Sequence, residues 1–378
     1  MSIGLTTLGL FSGAGGLDLG FELAGFHHVE ATDIDPWSVA TLQKNRPEWS
    51  VREANIADYE PPQGAKIDVL IGGPPCQGYS LGGHRQGADE RNQLYVEMLR
   101  VAEQLQPRVI VLENVLNLRT VRHPTTGRTF VDQIARDLGA INGGDRYEVH
   151  YGVFRMAQFG VPQTRRRFVF VAFQGGAPAG YRLPAANLDN ESIRNHLFDL
   201  ANESKPQPLP NHEVSWGFKS SVHVQTGESF DPQEPVLPVR FSRTASDGHP
   251  IRSFAAPFPA VDTATIWGWA QGSVTAKREP KDRSGATAKF VRNAAADVTL
   301  WRVRASRLRS FTHREYARLQ TFPDQWEFVG NSKRDIHMQI GNAVPVEFAR
   351  RLGENVSAAL HAKDNGYAFR GEGDDFLF

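Results

Sequence analysis

The sequence predicts an α/β protein, with a Rossmann-like, mostly parallel sheet and a smaller, irregular second domain. Strand-like apolar segments alternate with helix-like segments along the first part of the chain. A glycine-rich turn joins the first strand to the first helix, and the alternation ends near Gln174. Ligands of such sheets bind outside the carboxyl ends of the strands, so we expect the functional residues there.

Five strands and three helices are expected before this point. The strands are predicted at residues 5–10, 27–35, 66–73, 108–115 and 166–173, and the helices at residues 17–25, 37–45 and 93–107. The side chains of Asp33, Cys76 and Glu113 each lie at or just beyond the end of a predicted strand. They are therefore expected to meet at one edge of the sheet.

The later part of the chain is rich in Gly, Pro, Ser and Asn and loses the alternation. We predict a first domain at residues 1–175, an irregular domain at 176–305, a segment that returns to the first domain at 306–362, and a frayed tail at 363–378. The returning segment is expected to contain a helix at 312–320. Within 336–360 we expect a turn followed by a helix of about four turns.

The composition is that of an ordinary globular protein. Of 378 residues, 40% are hydrophobic, and 42 basic residues balance 42 acidic ones. No run approaches the roughly 18 apolar residues of a membrane-spanning helix, and no basic segment precedes the apolar N-terminal run, so we expect no membrane and no signal peptide. The single cysteine excludes a disulfide framework and a cysteine-based zinc site; we expect no metal and a cytoplasmic protein.

The turn FSGAGGLDLG has the chemistry of an anion-binding loop. Glycines let the backbone approach a ligand closely, and the amides at a helix N-terminus favour a carboxylate or phosphate. Many glycine turns are only tight turns, so this pattern leaves both interpretations open. Asp33, after the next strand, would either accept the hydroxyls of a ribose or cap the helix that follows.

Cys76 lies in GGPPCQGYS, a loop that two prolines stiffen. A lone cysteine is most often a small buried hydrophobe, whereas a nucleophilic thiolate needs a polar or cationic setting. Arg165 and Arg167 would supply such a setting if the fold brings them near. Glu113 would be either a general acid or a partner in a salt bridge.

Six segments, in this order, resemble the cytosine-5 DNA methyltransferase family, in its compact bacterial and phage form. They are LFSGAGGLDLGF, GGPPCQGYS, LENV, FGVPQTRRRFVFVAF, RSFTHREYARLQTFP and QIGNAVP, within residues 8–350. The resemblance implies a Rossmann-like methyltransferase domain that uses S-adenosylmethionine, and a smaller target-recognition domain at 176–305. It also implies transfer of a methyl group to carbon 5 of cytosine in a specific sequence of double-stranded DNA.

The resemblance assigns cofactor binding to the glycine turn, to the strand end that follows, and to two later positions. These residues are Phe11, Gly13, Gly15, Gly16, Leu17, Asp33, Ile34, Asn55 and Asn342. In the family an aspartate usually contacts the adenine, whereas this chain has Asn55 in EANIADY. Because Asp58 lies close by, the choice between Asn55 and Asp58 stays open.

The resemblance assigns catalysis to Pro75, Cys76, Gln77, Glu113, Arg165 and Arg167. Cys76 would add as a thiolate to carbon 6 of cytosine, and Glu113 would stabilise the adduct at ring nitrogen 3. Arg165 and Arg167 would bind the pyrimidine carbonyl or the sugar-phosphate. Asn114 and Gln163 would hold the site together.

DNA contacts are expected from Ser80, Thr265 and Arg309, and the target base would be flipped out of the duplex. Trp267 and Trp269, beside Thr265, are predicted to be core residues. The six arginines between residues 302 and 318 would include phosphate contacts. Alternatively, Arg309 and Arg314 would buttress the recognition domain.

Two other functions stay open at this point. An RNA cytosine-5 methyltransferase would share the chemistry, but its usual Cys-Phe-Thr signature is not seen. A catalytically inactive DNA-binding protein would share the fold, but the intact Pro-Cys-Gln and Glu-Asn-Val triplets argue against it. One active site per chain needs no partner subunit, so we expect a monomer. The compact chain favours a role in a restriction–modification system with a separate cognate endonuclease, and an orphan enzyme without one stays the alternative.

Overall fold

The computed structural model describes most of the first domain and parts of the second. The described residues are 4–75, 94–143, 147–186, 190–201, 208–215, 222–225, 236–241, 249–250, 257–263, 266–271, 300–303 and 308–371. The predicted site residues Cys76, Gln77, Ser80 and Thr265 lie outside them.

A seven-stranded sheet forms the first domain. Its strands are β1 (Thr6–Leu10), β2 (His27–Asp33), β3 (Val51–Glu53), β4 (Val69–Gly72), β5 (Val109–Val115), β6 (Tyr147–Arg155) and β7 (Arg166–Gln174). The order is β3-β2-β1-β4-β5-β7-β6, with β7 antiparallel to both neighbours and the other pairings parallel. The predicted Rossmann-like fold is confirmed. Because β1 pairs with both β2 and β4, the crevice at the carboxyl end of β1 is the expected ligand site.

Eight helices are described, and they cover both faces of the sheet. They are α1 (Gly16–Leu23), α2 (Pro36–Asn45), α3 (Leu94–Leu105), α4 (Phe130–Gly139), α5 (Arg194–Ala201), α6 (His313–Leu319), α7 (Lys333–Asn342) and α8 (Val346–Asn365). Buried side chains of α3 and α4 pack on one face, and those of α1 and α8 on the other. A Cβ built on Gly20 would lie 2.2 Å from Cβ of Ala349, so α1 and α8 approach at a position that only glycine allows.

The C-terminal segment differs from the prediction. A helix, α7, precedes the expected turn, because Ser332 and Asp335 form a capping box at its start, and the turn is confined to the junction between α7 and α8. The last helix, α8, has 20 residues and is therefore longer than expected. The frayed tail predicted from residue 363 is also wrong as far as residue 371, because the buried ring of Phe369 packs on Tyr181 with 5.1 Å between ring centroids.

The second domain contains short strands, in two three-stranded sheets. The strands are β8 (Val222–Gln225), β9 (Val236–Phe241), β10 (His249–Pro250), β11 (Ile266–Gln271), β12 (Leu300–Val303) and β13 (Leu308–Ser310), in the orders β10-β8-β12 and β13-β11-β9. Because β13 pairs with β11, this part extends beyond the predicted boundary at 305. Trp267 and Trp269 are buried, as expected of core residues.

Candidate active site

The turn after β1 is open on one side. Phe11, Gly13 and Gly15 have φ of 55°, 52° and 83°. The N–H of Gly15 donates to the carbonyl of Ser12 at 2.8 Å, which closes the turn. A Cβ built on Gly13 would meet nothing within 4 Å, whereas one on Gly15 would lie 2.5 Å from a methyl of Leu42. Gly13 therefore faces free space, and Gly15 faces the core.

Helix α1 starts directly from this turn. No side chain caps its first amides, so the partial positive charge of the helix N-terminus points into the open crevice. A Cβ built on Gly16 would lie 2.1 Å from the carbonyl oxygen of Val344. The predicted turn GNAVP, with the exposed Asn342, thus packs against the start of α1. The side chain of Leu17 is buried, so only its backbone can reach a ligand.

Asp33 joins the crevice at the end of β2. Its Oδ2 accepts the N–H of Gly13 at 2.7 Å, and its Oδ1 accepts that of Asp35 at 2.9 Å. Burial raises the pKa of Asp33, although these backbone donors oppose the rise. The alternative that Asp33 caps α2 is wrong, because the carboxylate of Asp35 accepts the N–H of Ser38.

The side chains beside Asp33 suit a flat, partly polar ring. Ile34 is 65% exposed, which is unusual for a large apolar side chain. Asn55 is exposed, and its Oδ1 accepts the N–H of Ala57 at 3.2 Å. Asp58 is exposed in the same turn, so both candidates for the adenine contact remain.

Glu113 and Arg167 form a charged pair at the carboxyl end of β5. Nε of Arg167 lies 2.7 Å from Oε1 of Glu113, and the two side chains are 18% and 10% exposed. Burial lowers the pKa of Arg167, and the carboxylate of Glu113 opposes this. The loop that leads to Cys76 passes beside the pair, because a Cβ built on Gly73 would lie 3.3 Å from Oε2 of Glu113.

Asn114 holds the same loop from the next position of β5. Its Nδ2 donates to the carbonyl of Pro74 at 3.1 Å, and its side chain is buried. Pro75, the last described residue of the loop, is exposed. The site thus joins β5 to the Pro-Pro segment that directly precedes Cys76 in sequence.

The buried Arg165 does not face this centre as expected. Its Nη1 donates to the carbonyls of Val261 and Gly341, each at 2.9 Å. Burial lowers the pKa of Arg165, and the nearby Arg167 adds to this. The expected contact with a pyrimidine or phosphate is therefore corrected: Arg165 ties the recognition domain to the turn at the end of α7.

Gln163 makes a second link from Val261 of the recognition domain, in this case to the end of α6. Its Nε2 donates to the carbonyl of Leu319 at 2.7 Å, and its Oε1 accepts the N–H of Val261 at 3.1 Å. The side chain is fully buried. Gln163 thus fixes two segments beside the site, and its role in holding the site together stays a prediction.

Arg309 is not placed to touch DNA. Its Nη2 and Nη1 lie 2.6 Å and 2.7 Å from the two carboxylate oxygens of Glu315, and neither side chain is exposed. The indole N–H of Trp269 donates to the same carboxylate at 2.6 Å. The DNA contact predicted for Arg309 is therefore wrong in this geometry, and the alternative of a buttress fits.

The neighbouring arginines of α6 are also held by protein groups. Arg314 is fully buried and donates to the carbonyls of Pro323 and Trp326. Arg318 pairs with Asp199 and Asp324, each at 2.7 Å. The sequence could not show this, because most of the partners lie on other segments of the chain.

Three residues that sequence reasoning missed, Ser12, Asp18 and His28, form a buried cluster that supports the glycine turn. Oγ of Ser12 donates to Oδ1 of Asp18 at 3.0 Å, and Nε2 of His28 lies 3.0 Å from the same oxygen. All three side chains are buried. The signal was an aspartate within the otherwise apolar first turn of α1.

The described part of the chain has neither a metal site nor a membrane-spanning helix. Within these residues, no three acidic, histidine or cysteine side chains come together as metal ligands. No described helix is long and apolar enough to cross a membrane.

The doubly wound sheet, the open glycine turn and the acid at the next strand end define an α/β enzyme that binds a nucleoside cofactor. The chain belongs to the C-5 cytosine-specific DNA methylase family, whose family model matches residues 5–358.

Named relatives cover nearly the whole chain. It is 31% identical to the Type II methyltransferase M.Eco47II of Escherichia coli, over 93% of this chain and 78% of the relative. It is 29% identical to M.NgoMIV of Neisseria gonorrhoeae, over 94% and 98%. A solved DNA modification methyltransferase encoded within an E. coli prophage shares the fold, with a TM-score of 0.62 at 20% identity, over 94% of this chain and 99% of that one.

The protein is thus a DNA cytosine-5 methyltransferase, and S-adenosylmethionine is its methyl donor. The residues present fit this cofactor. The open space at Gly13 and the uncapped amides of α1 suit its carboxylate, Asp33 suits its ribose, and the exposed Ile34 suits its adenine.

Proposed function

We propose that this enzyme methylates cytosine within a specific double-stranded DNA sequence, through a covalent adduct between Cys76 and a flipped-out base. The observation that carries the proposal is the Glu113–Arg167 pair, with Nε and Oε1 2.7 Å apart, beside the Gly73–Pro74 backbone that leads to Cys76. A carboxyl group and a cation thus lie next to the Pro-Pro segment that precedes the only cysteine of the sequence.

The need for a nucleophile follows from the chemistry of the substrate. Carbon 5 of cytosine is a poor nucleophile, and addition of the Cys76 thiolate to carbon 6 converts the ring to an enamine. Glu113 hydrogen-bonds ring nitrogen 3 and stabilises the charge of the adduct. After the methyl transfer, a base takes the proton from carbon 5 and the Cys76 thiolate leaves carbon 6, which restores the aromatic ring.

The cofactor supplies a methyl group that is electrophilic because it is bound to a sulfonium sulfur. Phe11, Gly13 and the amides of Gly16 and Leu17 would hold the cofactor in the crevice, and Asp33 would accept its ribose hydroxyls. The crevice and Glu113 lie at the same edge of the sheet, so the bound cofactor would supply its methyl group there.

Arg167 keeps Glu113 oriented and adds positive charge near the thiolate. Pro75 stiffens the loop, and Gln77 and Ser80 close around the flipped base, whose extrusion costs a few kcal/mol. The recognition domain, including Thr265, reads the sequence. Arg165 and Gln163 support this arrangement because they fix Val261 of the recognition domain to the catalytic domain.

The direct test is transfer of a labelled methyl group from S-adenosylmethionine to unmethylated genomic DNA, with the product nucleoside identified by mass spectrometry. We expect 5-methylcytosine from the wild type and none from the Cys76→Ala variant, which should still bind the cofactor. Label on tRNA but not on DNA would support an RNA methyltransferase instead. Full activity of Cys76→Ala would contradict the covalent mechanism.

We also propose that the enzyme acts as a monomer in a restriction–modification system. Each chain carries one complete set of the assigned residues, so no second subunit is needed. Light scattering during gel filtration checks the mass of 42.0 kDa. A cognate endonuclease is expected to cleave the same sequence only when it is unmethylated.

A further inference from the structure

We propose that the turn formed by residues 119–128, which we name the arginine turn, binds the DNA backbone through Arg119, Arg122 and Arg128. The inference rests on the DNA substrate of the proposed function. It assigns phosphate contacts to the catalytic domain, outside the recognition domain and outside the loop that carries Cys76.

The arginine turn is an ordered structure. The N–H of His123 donates to the carbonyl of Arg128 at 2.8 Å, and the N–H of Gly127 donates to the carbonyl of His123 at 2.9 Å. Arg122 and Thr129 pair in an antiparallel bridge. Gly127 has φ of 70°, which a glycine adopts without strain. The backbone of the turn is therefore fixed by its own hydrogen bonds.

Both ends of the arginine turn are anchored in the core. Leu118, just before it, is 1% exposed, and Phe130, just after it, is 2% exposed, and both belong to the core cluster under α3 and α4. The turn begins four residues after the end of β5 at Val115, and Glu113 lies near the same strand end. It therefore stands at the carboxyl edge of the sheet, where the reaction takes place.

The three arginines carry charge that the described part of the protein does not neutralise. All three side chains are exposed. Across the described ranges, none of the three forms an ion pair with a carboxylate. Nη1 of Arg122 donates a hydrogen bond to the carbonyl of Gly127 at 2.8 Å, and among the described residues its other N–H groups stay available. The next acid in sequence, Asp132, accepts the hydroxyl of Thr129 at 2.6 Å.

Phosphate is the partner that fits these groups. Guanidinium groups bind phosphate oxygens through two parallel N–H donors, and such contacts dominate the affinity of proteins for DNA. The formal charge of the chain is zero, so its attraction to DNA must come from local clusters. Arg309, Arg314 and Arg318 are already held by protein groups, whereas the arginine turn is free on the surface.

The test is the salt dependence of DNA binding, measured by fluorescence anisotropy on a short duplex of arbitrary sequence. Phosphate contacts carry no sequence information, so the recognition site need not be known. Each lost phosphate contact reduces the slope of log Kd against log salt by about 0.9. For Arg119→Gln/Arg128→Gln we expect a slope smaller by about 1.8. Between about 50 and about 200 mM salt, Kd of the wild type would then rise about 12-fold more than Kd of the variant.

The double variant leaves Arg122 in place because its hydrogen bond to Gly127 also supports the turn. The matched control is Arg182→Gln/Arg370→Gln, which removes two exposed arginines beside α8. It removes the same charge, and its slope should match that of the wild type. Arg119→Lys/Arg128→Lys should keep most of the slope, because lysine binds phosphate as a point charge.

An unchanged slope in the double glutamine variant, or an equal loss in the control variant, would overturn the inference. The proposed function is tested separately, by transfer of methyl groups from the wild type to genomic DNA. If the wild type transfers none, the proposed function fails, whatever the arginine turn does. If the wild type methylates DNA and the glutamine variant keeps the full slope, only the arginine turn is refuted.

Discussion

Replacing Arg309 by methionine should destabilise the protein without changing its contacts with DNA phosphates. The structure shows why: both guanidinium nitrogens pair with Glu315 at 2.6 Å and 2.7 Å, and neither side chain is exposed. Removal of one partner of such a buried pair leaves the other charge buried and uncompensated. The expected cost is about 3–5 kcal/mol of the free energy of unfolding.

This cost corresponds to a measurable fall in Tm. Unfolding entropy is about 2.1 cal/mol/K per residue, or about 0.8 kcal/mol/K for 378 residues. The expected fall is therefore about 4–6 °C. A second change, Glu315→Gln, removes the stranded charge and keeps an acceptor for the indole of Trp269. The double variant should thus be less destabilised than the sum of the two single variants.

The assay combines thermal unfolding, followed by tryptophan fluorescence, with the salt dependence of DNA binding. The reasoning predicts a lower Tm for Arg309→Met and an unchanged salt slope. A Tm within about 1 °C of the wild type would refute the energetic argument. A slope reduced by about 0.9 would show that Arg309 contacts a phosphate after all.

Three further predictions concern the cofactor crevice and the helix α6. Gly16→Ala puts a Cβ 2.1 Å from the carbonyl oxygen of Val344, so chemical denaturation should show a free energy of unfolding lower by about 1–3 kcal/mol. Gly4→Ala is the near-neutral control, because its Cβ would lie at an ordinary 3.7 Å from the carbonyl oxygen of Gly25. Asp33→Ala should weaken binding of S-adenosylmethionine about 10- to 100-fold in calorimetry, because a charged acceptor is lost; wild-type affinity should fall as the pH drops towards the raised pKa of Asp33. Burial lowers the pKa of His313 from 6.5 to about 4, so between these values only the unfolded chain takes up the proton; stability should fall as the pH drops through this window, and His313→Gln should flatten the dependence.

The sheet could be predicted largely because its central strands are continuous apolar runs. The strands β4 and β5 read as buried from sequence and are buried. By contrast, β6 was missed because it lies at the edge of the sheet. Apolar and polar side chains are mixed along β6, and Tyr151 and Val153 remain 44% and 41% exposed. Edge strands carry a weaker signal because one side has no strand to pair with.

The candidate site divides in a similar way. The placement of Asp33 and Glu113 could be predicted because a strand end fixes where a side chain lies. The roles of Arg165 and Arg309 were misjudged because their partners are set by tertiary packing. Arg165 binds carbonyls that are 96 and 176 residues away in sequence, and no local pattern encodes such a contact.

The most direct test of the covalent mechanism is intact-protein mass spectrometry after incubation with S-adenosylmethionine and duplex DNA in which every cytosine is 5-fluorocytosine. In ordinary cytosine a base removes the hydrogen of carbon 5 as a proton, but it cannot remove fluorine in this way. The elimination that releases Cys76 is therefore blocked, and the covalent adduct persists. The account predicts a stable protein–DNA complex for the wild type, with the nucleotide attached to Cys76, and none for Cys76→Ala. A wild type that forms 5-methylcytosine in ordinary DNA but never this complex would contradict the account.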